Sequence, residues 1–317
     1  MNKNKILGLV GLVGAAFMGG AIMPSLVRLG TSFLHPFLFN WLRIFLGLII
    51  ILIFFRKKYR AKLVFTKKYL IFSLFLGIGL GLNITLFSIA IQHTTLIASQ
   101  LIYVLVPIVT SFLAYLFLKE KITLKKIWGM LIALIGVLIL LIFSRSPKEV
   151  TSLGTFYGNF LIFIAVFSYS FYLVFSKKLT AIFSIVEMIL LTNTSLSILF
   201  FPLAIYGFYQ QGFSQINLKS LAVIVAVVIS ALAFMALSQM AIKHLSAGTA
   251  SLGSLLSPEF AALTGIAIYN EKISLLLLIS MILSIGGVLI SITAEKITIL
   301  DKMKLVINKF KLIKKTS

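Results

Sequence analysis

Two ionisable side chains of opposite charge lie within long apolar segments of this 317-residue sequence. Glu259 lies about twelve residues into the segment 247–269, and Arg43 lies in the segment 37–55. A charge at the centre of a bilayer costs on the order of 3 kcal/mol, so such residues usually bind a substrate or an ion. Glu259 could bind a cation or carry a coupling proton, and Arg43 could bind a carboxylate; together they would suit a zwitterion. The alternatives are a glutamate hydrogen-bonded within a helix bundle and an arginine that extends to the membrane surface.

Uncharged polar side chains in apolar segments form a second group of candidates for substrate binding. Their hydrogen-bonding groups could face a solute, or they could join neighbouring helices at about 0.6 kcal/mol each. The candidates selected for a binding site are Asn83, Tyr103, Trp41 and Gln239.

Two prolines lie at the middle of apolar segments, Pro107 in 95–117 and Pro258 in 247–269. Proline lacks an amide donor and clashes with the carbonyl four residues earlier, so it interrupts a helix and frees backbone oxygens. Within a bilayer such oxygens need protein partners or a hydrated cavity. We therefore expect both prolines at a cavity wall or hinge, the alternative being a simple packing kink.

The residue types needed for catalysis are absent or scattered. The chain has no cysteine and three histidines, and its acidic residues are isolated in the sequence. The glycines at 77, 79 and 81 are not followed by the Lys-Ser/Thr pair of a phosphate-binding loop, and we expect them to allow close helix packing. We therefore predict no enzyme activity, no cofactor and no catalytic or structural metal.

Composition places these candidates in a membrane. The chain is 60% hydrophobic and 11% charged, whereas soluble domains are about 25% charged. A bilayer needs about 20 apolar residues per helix. The sequence predicts an all-α integral membrane protein with ten spans, at 6–27, 37–55, 69–91, 95–117, 124–143, 154–176, 185–207, 218–241, 247–269 and 274–294.

The charge distribution predicts the orientation of the spans. If residue 1 is cytoplasmic, the external loops hold five of the 29 Lys and Arg residues (28, 145, 148, 219 and 272), Arg43 lies in a span, and the other 23 are cytoplasmic. Positive charge is retained on the cytoplasmic side. We therefore expect a cell-membrane protein with both termini in the cytoplasm, and the net charge of +22 does not indicate a nucleic-acid partner.

The second half of the chain repeats the first at an offset of 151 residues. Fifteen of the 50 positions from 90 to 139 are identical to their partners, including Pro107 with Pro258 and Glu120 with Glu271. Ten spans in two units give five per unit, and an odd number inverts the second unit across the membrane. Inverted repeats commonly enclose a binding site near the midplane. The predicted units are 1–145 and 146–296.

The remaining segment, 297–317, carries apolar residues at intervals of four and three, with lysines between them. This pattern predicts a basic amphipathic helix on an anionic cytoplasmic leaflet. The alternative is a disordered basic tail that only fixes topology. The pattern leaves open whether the chain is a monomer or a homodimer.

The repeated block resembles the EamA unit of the drug/metabolite transporter superfamily. The resemblance rests on the mid-span proline, the Glu-Lys pair 13 residues later and the closing Gly-Val-Leu-Ile helix, which occur at 107, 120–121 and 136–139 and again at 258, 271–272 and 287–290. It covers essentially the whole chain. It implies a ten-helix inverted-repeat carrier, often an exporter of amino acids or other small metabolites.

These observations together predict a secondary active transporter of a small metabolite that works by alternating access. Since no ATP-binding motif is present, a gradient must drive it. An uptake permease or a channel-like facilitator of the same fold remains open, and an intramembrane enzyme is disfavoured because paired catalytic groups are missing.

Overall fold

A computed structural model of the chain describes residues 3–59, 67–118, 124–143, 153–180, 182–212, 217–245, 250, 253, 256–287 and 289–290. The described part is helical and contains no strand. The corner at 120–121 and the tail at 297–317 lie outside it. The helices are α1 (Lys3–Phe17), α2 (Met23–Phe33), α3 (Pro36–Tyr59), α4 (Lys67–Ala90), α5 (Leu96–Tyr103), α6 (Val106–Leu118), α7 (Leu124–Phe143), α8 (Phe156–Leu179), α9 (Ile185–Gln211), α10 (Leu218–His244), α11 (Ser257–Tyr269) and α12 (Leu275–Gly287).

All ten predicted spans contain helix. Among the residues that the structure describes, seven stretches are long and apolar enough to cross a membrane, and two further apolar helices, 127–143 and 275–287, are shorter. The ninth predicted span is described as helix α11 over its second half. Large apolar side chains such as Phe54 and Leu263 are exposed on the outside of the bundle. Lipid would cover these surfaces, so the chain is an integral membrane protein.

The sequence predicts that the first span ends at residue 27. In the structure it continues to Phe33 and contains a π-helical turn at Met18–Ile22. The helix ends just before Pro36, whose ring disfavours helical geometry in the residue that precedes it. Arg28 therefore lies within α2, and its assignment to a loop was wrong.

Helices of the two halves pack against each other in a symmetric pattern. The first span packs on the eighth (α1 on α10), the third on the sixth (α4 on α8), and the second on the seventh (α3 on α9). If each span is replaced by its repeat partner, the pair of spans one and eight becomes the pair of spans six and three. The pair of spans two and seven is unchanged. This is the pairing expected for two repeated five-helix units around a pseudo-two-fold axis.

Glycines permit the close approach of these helices. A Cβ atom on Gly77 would lie 2.8 Å from the Ser195 side chain, and one on Gly79 would lie 3.1 Å from Phe171. On Gly81 it would lie 2.0 Å from Phe200. The interpretation of this triplet as a helix-packing element is confirmed.

The fourth and ninth spans are both discontinuous. In the fourth, α5 ends at Tyr103, a turn follows, and α6 restarts at Val106. In the ninth, α11 begins at Ser257 after a turn at residue 256. Pro107 and Pro258 each occupy the second position of the new helix, where a missing amide donor is tolerated. Helices α5 and α11 pack against each other, so the two interrupted spans meet inside the bundle.

Candidate functional site

A cavity of about 150 Å³ lies between the two halves. Its wall is formed by residues of both units, and most of them are apolar. Residues of the first four spans and of the sixth to ninth spans contribute to it. The polar side chains in the wall are Arg43, Asn83, Gln100, Tyr103, Tyr169, Asn193, Ser238 and Ser257.

Arg43 is the charged residue of the cavity wall. It lies seven residues after the start of α3, about 10 Å along the helix, and only 3% of it is exposed. Its Nη1 atom has no hydrogen-bond partner, and its Cζ atom lies 5.7 Å from the centre of the Phe39 ring. The alternative that Arg43 extends to the membrane surface is therefore wrong in this structure.

Glu259 does not reach this cavity. Its side chain is exposed and is not part of the wall, whereas Ser257 lines it. Successive helical residues turn by about 100°, so Glu259 points away from the face that Ser257 presents. Glu259 also lies in the first turn of α11, where a negative charge is favoured by the helix dipole. Whether Glu259 and Arg43 share a compartment was left open by the sequence, and in this structure only Arg43 lines the cavity.

Asn83 and Tyr103, two predicted site residues, are joined in the cavity wall. The Asn83 Nδ2 atom donates to the Tyr103 hydroxyl at 2.5 Å and to the Ala165 carbonyl at 2.9 Å. The Tyr103 oxygen therefore acts as an acceptor and keeps its own proton for another partner. This arrangement offers one hydroxyl donor to a molecule in the cavity.

Trp41 and Gln239, also predicted, lie outside the wall. Trp41 donates from Nε1 to the Ser197 carbonyl at 3.0 Å and stacks on Phe45, so it joins the second span to the seventh. Gln239 is buried and donates from Nε2 to the Tyr172 hydroxyl at 2.6 Å. Both side chains connect helices, which was the alternative given for polar residues in spans.

Sequence reasoning did not select Tyr169 for the site. Its ring centre lies 6.2 Å from that of Tyr103, and the Tyr103 ring lies 6.0 Å from Phe87. These three rings form an aromatic strip along the cavity wall. A signal was present in the sequence, because Tyr169, Tyr172 and Ser176 recur at helical spacing on one face of an otherwise apolar span.

Both helix interruptions lie at the cavity. Val106 and Ser257, which immediately precede Pro107 and Pro258, are wall residues. A third irregularity meets them there, because Gly20 in the π-helical turn approaches Ser257 so closely that a Cβ atom would lie 2.7 Å from its carbonyl oxygen. Single-turn π-helical segments are frequent at functional sites. The backbone is therefore irregular where the cavity is, as in many carriers.

One end of the bundle carries a partly buried ion pair that sequence reasoning missed. Arg28 Nη1 donates to Glu271 Oε1 at 2.8 Å, and the Leu96 amide donates to the same oxygen at 2.7 Å. The Ile97 amide donates to Glu271 Oε2 at 3.1 Å. Glu271 thus caps the start of α5 while it binds the first span. The Tyr269 ring, 4.6 Å from the Arg28 Cζ atom, completes this outer cluster of five residues.

The cavity reaches toward different ends of the bundle on different helices. On α10 its wall runs from Val228 to Ile242, two residues from the helix end at His244. On α5 it includes Gln100, four residues after Leu96 of the outer cluster. The cavity therefore extends along the middle of the bundle and is not displaced toward a single end.

The fold and cavity define a class, the multi-pass membrane transporters built from two repeated helical units. Residues 6–142 and 156–293 both match the family model described as "EamA-like transporter family", so the chain belongs to that family.

Two further proteins are similar to this chain. A stretch of 172 residues is 26% identical to the "Uncharacterized transporter YoaV" of Bacillus subtilis (strain 168), which is 53% of this chain and 56% of that protein. The match therefore spans little more than half of each. A solved structure described only as "Crystal structure of protein" superposes with a TM-score of 0.59 at 16% identity, covering 91% of this chain and 96% of the other. That likeness shows a shared fold.

Proposed function

We propose that this protein is a secondary active transporter that exports a small metabolite from the cytoplasm by alternating access. The observation that carries the proposal is the cavity between the two halves, whose wall contains the buried Arg43 with an Nη1 atom that has no hydrogen-bond partner in the described part of the chain. A cavity of about 150 Å³ is below the range of about 300–1,000 Å³ that holds drug-sized ligands. The substrate is therefore a small molecule.

The proposed orientation follows from the charge distribution of the sequence. The units 1–145 and 146–296 lie inverted in the cell membrane, with both termini in the cytoplasm and the basic tail 297–317 on an anionic leaflet. In this orientation the outer cluster lies on the external side.

The conformational change separates one end of the bundle while the other closes. At the external end, Arg28 of the first span binds Glu271. At the cytoplasmic end, Lys177 of the sixth span donates from Nζ to the Ile242 and Leu245 carbonyls, at 2.6 Å each. Arg28 lies in the first span of the first unit, and Lys177 lies in the first span of the second unit. Each unit thus contributes one cation to a contact, and the two contacts lie at opposite ends of the bundle. Export requires the contact of Arg28 with Glu271 to part.

Counterflow in proteoliposomes tests the proposal. The probes share a phenyl body and differ in charge: 3-phenylpropionate, phenylalanine, 3-phenylpropionamide and phenethylamine. A carrier takes up labelled probe faster when the liposomes hold unlabelled probe, and its rate saturates. A channel shows neither property. Saturable counterflow with one or more probes supports a carrier, and its absence with all four overturns the proposal.

A further inference from the structure

We propose that the substrate is a small organic anion, with a carboxylate that binds Arg43 and an apolar or aromatic body that lies against the aromatic strip. This inference rests on the proposed transport function. It goes further by fixing the charge of the substrate and the residue that selects it.

Arg43 has no carboxylate partner in the described part of the chain. The three carboxylates in the described part of the chain are all engaged or distant. Glu271 binds Arg28, Glu187 accepts from the Ser184 amide that begins its own helix at 2.7 Å, and Glu259 is exposed outside the cavity. A buried cation without a partner is strongly unfavourable. A ligand carboxylate in the cavity would supply the missing negative charge.

The guanidinium group of Arg43 has the shape and charge that bind a carboxylate. Arginine presents its donors in a planar fork that matches the two oxygens of a carboxylate. The Nη1 atom is buried and has no hydrogen-bond partner among the described residues, and other atoms of the Arg43 side chain line the cavity. The Tyr103 hydroxyl, which already accepts from Asn83, keeps a proton that can be donated to an anionic or neutral oxygen of the ligand.

The rest of the cavity wall offers no second charge in the described part of the chain. Its other polar groups are neutral amides and hydroxyls, and the aromatic strip of Phe87, Tyr103 and Tyr169 is bordered by Leu, Ile and Met side chains. Flat or branched apolar groups gain both area burial and ring contacts on such a surface. An ammonium group would lie near Arg43 without a carboxylate of the protein to offset it. A simple organic acid therefore fits better than a zwitterion.

Binding to the purified full-length protein tests the inference. Isothermal titration should detect 3-phenylpropionate and give weaker binding of 3-phenylpropionamide and phenethylamine. Arg43→Met should lower the affinity for 3-phenylpropionate by between about tenfold and a hundredfold, the value of a hydrogen bond to a charged group. The affinity for the neutral amide should change little. Arg43→Lys, which keeps the charge but loses the fork, should give an intermediate affinity.

The matched control is Lys219→Met, which removes one positive charge from an exposed position and should leave all affinities unchanged. If Arg43→Met does not fold, Arg43→Lys and the comparison of ligands in the wild type decide the matter. Equal binding of acid and amide, or preference for the amine, overturns the inference. In that case, counterflow of a probe other than the acid would still support the proposed transporter. Conversely, binding of the acid without counterflow of any probe would support the anion site and contradict the proposed transport function.

Discussion

Arg28 and Glu271, which lie 243 residues apart in the chain, form an ion pair of 2.8 Å that connects the first span to the turn between the ninth and tenth. Glu271 also accepts the backbone amides of Leu96 and Ile97. A carboxylate at a helix N-terminus is stabilised by the helix dipole and by the unpaired amides there. One side chain thus holds three separate segments together at one end of the bundle.

Removing the charge of Glu271 should open this end of the protein. In Glu271→Gln the amide cannot replace both the ion pair and the two amide contacts, and we expect a loss of about 1–3 kcal/mol of stability in this region. The chain has no cysteine, so a single Gln100→Cys substitution in the cavity wall reports on access. A membrane-impermeant thiol reagent added from outside should label it faster in the Glu271→Gln background.

Glu187→Gln is the matched control for this experiment. Glu187 also caps a helix, because it forms a reciprocal pair of contacts with Ser184 at the start of α9, but it does not belong to the outer cluster. It should reduce thermal stability without increasing the labelling of Gln100→Cys. If Gln100→Cys is labelled equally fast in the Glu271→Gln and Glu187→Gln backgrounds, the outer cluster is only a structural cap.

Much of this fold could be predicted from the sequence, because the spans and the repeat are strong signals. Ten apolar segments, a fixed offset of 151 residues and paired prolines were sufficient for the architecture and for the interruptions in the fourth and ninth spans. The sequence predicts that the first span ends before Arg28, because a charged residue there indicates the start of a loop. The helix in fact continues through Arg28 to Phe33. The structure explains the position of Arg28 by its pairing with Glu271.

The site itself was only partly predictable. Arg43, Asn83 and Tyr103 line the cavity, whereas Trp41, Gln239 and Glu259 do not. Depth along a span can be counted from the sequence, but the direction of a side chain depends on where the helix restarts after a break. The position of Glu259 along its span could therefore be predicted, but not the face on which its side chain lies. An apolar helix with polar residues on several faces gives no periodic signal that would decide between them.

Close backbone packing at the cavity predicts a strong effect of one added methyl group. In Gly20→Ala the new Cβ atom would lie 2.7 Å from the Ser257 oxygen and 2.8 Å from its Cα atom. Since these are backbone atoms, the first and ninth spans must separate, at a cost of about 1–3 kcal/mol. Counterflow should be reduced. Gly47→Ala is the control, because its nearest neighbour would be Leu232 at an ordinary 3.4 Å, and similar counterflow rates in the two variants would contradict the importance of this contact.

The turn between the first two spans predicts a stability that depends on pH. The Phe37 amide donates to Nδ1 of His35 at 3.3 Å, and partial burial lowers the pKa of His35 from its ordinary value of 6.5. Below pH 6.5 the unfolded chain therefore binds this proton before the folded protein does. Stability should fall as the pH falls from 6.5 to the lowered pKa, and then level off.

His35→Asn tests the origin of that pH dependence. The Asn side-chain oxygen can accept the Phe37 amide but does not titrate. Thermal unfolding in detergent, followed between about pH 7.5 and about pH 5, should show a smaller loss of stability in the variant than in the wild type. Identical slopes would mean that other groups cause the acid sensitivity.

Membrane potential should drive efflux if the substrate is an anion that crosses alone. One elementary charge moving through 100 mV is worth about 2.3 kcal/mol, or about a forty-fold concentration ratio. Efflux of 3-phenylpropionate from proteoliposomes should therefore accelerate when a potassium gradient and valinomycin make the interior negative, and efflux of the neutral amide should not.

If Glu259 instead carried a proton with each anion, no net charge would move and the potential would have no effect. Because Glu259 is exposed outside the cavity, we expect Glu259→Gln to keep the voltage dependence of the wild type; a voltage dependence that appears only in that variant would return Glu259 to the transport cycle.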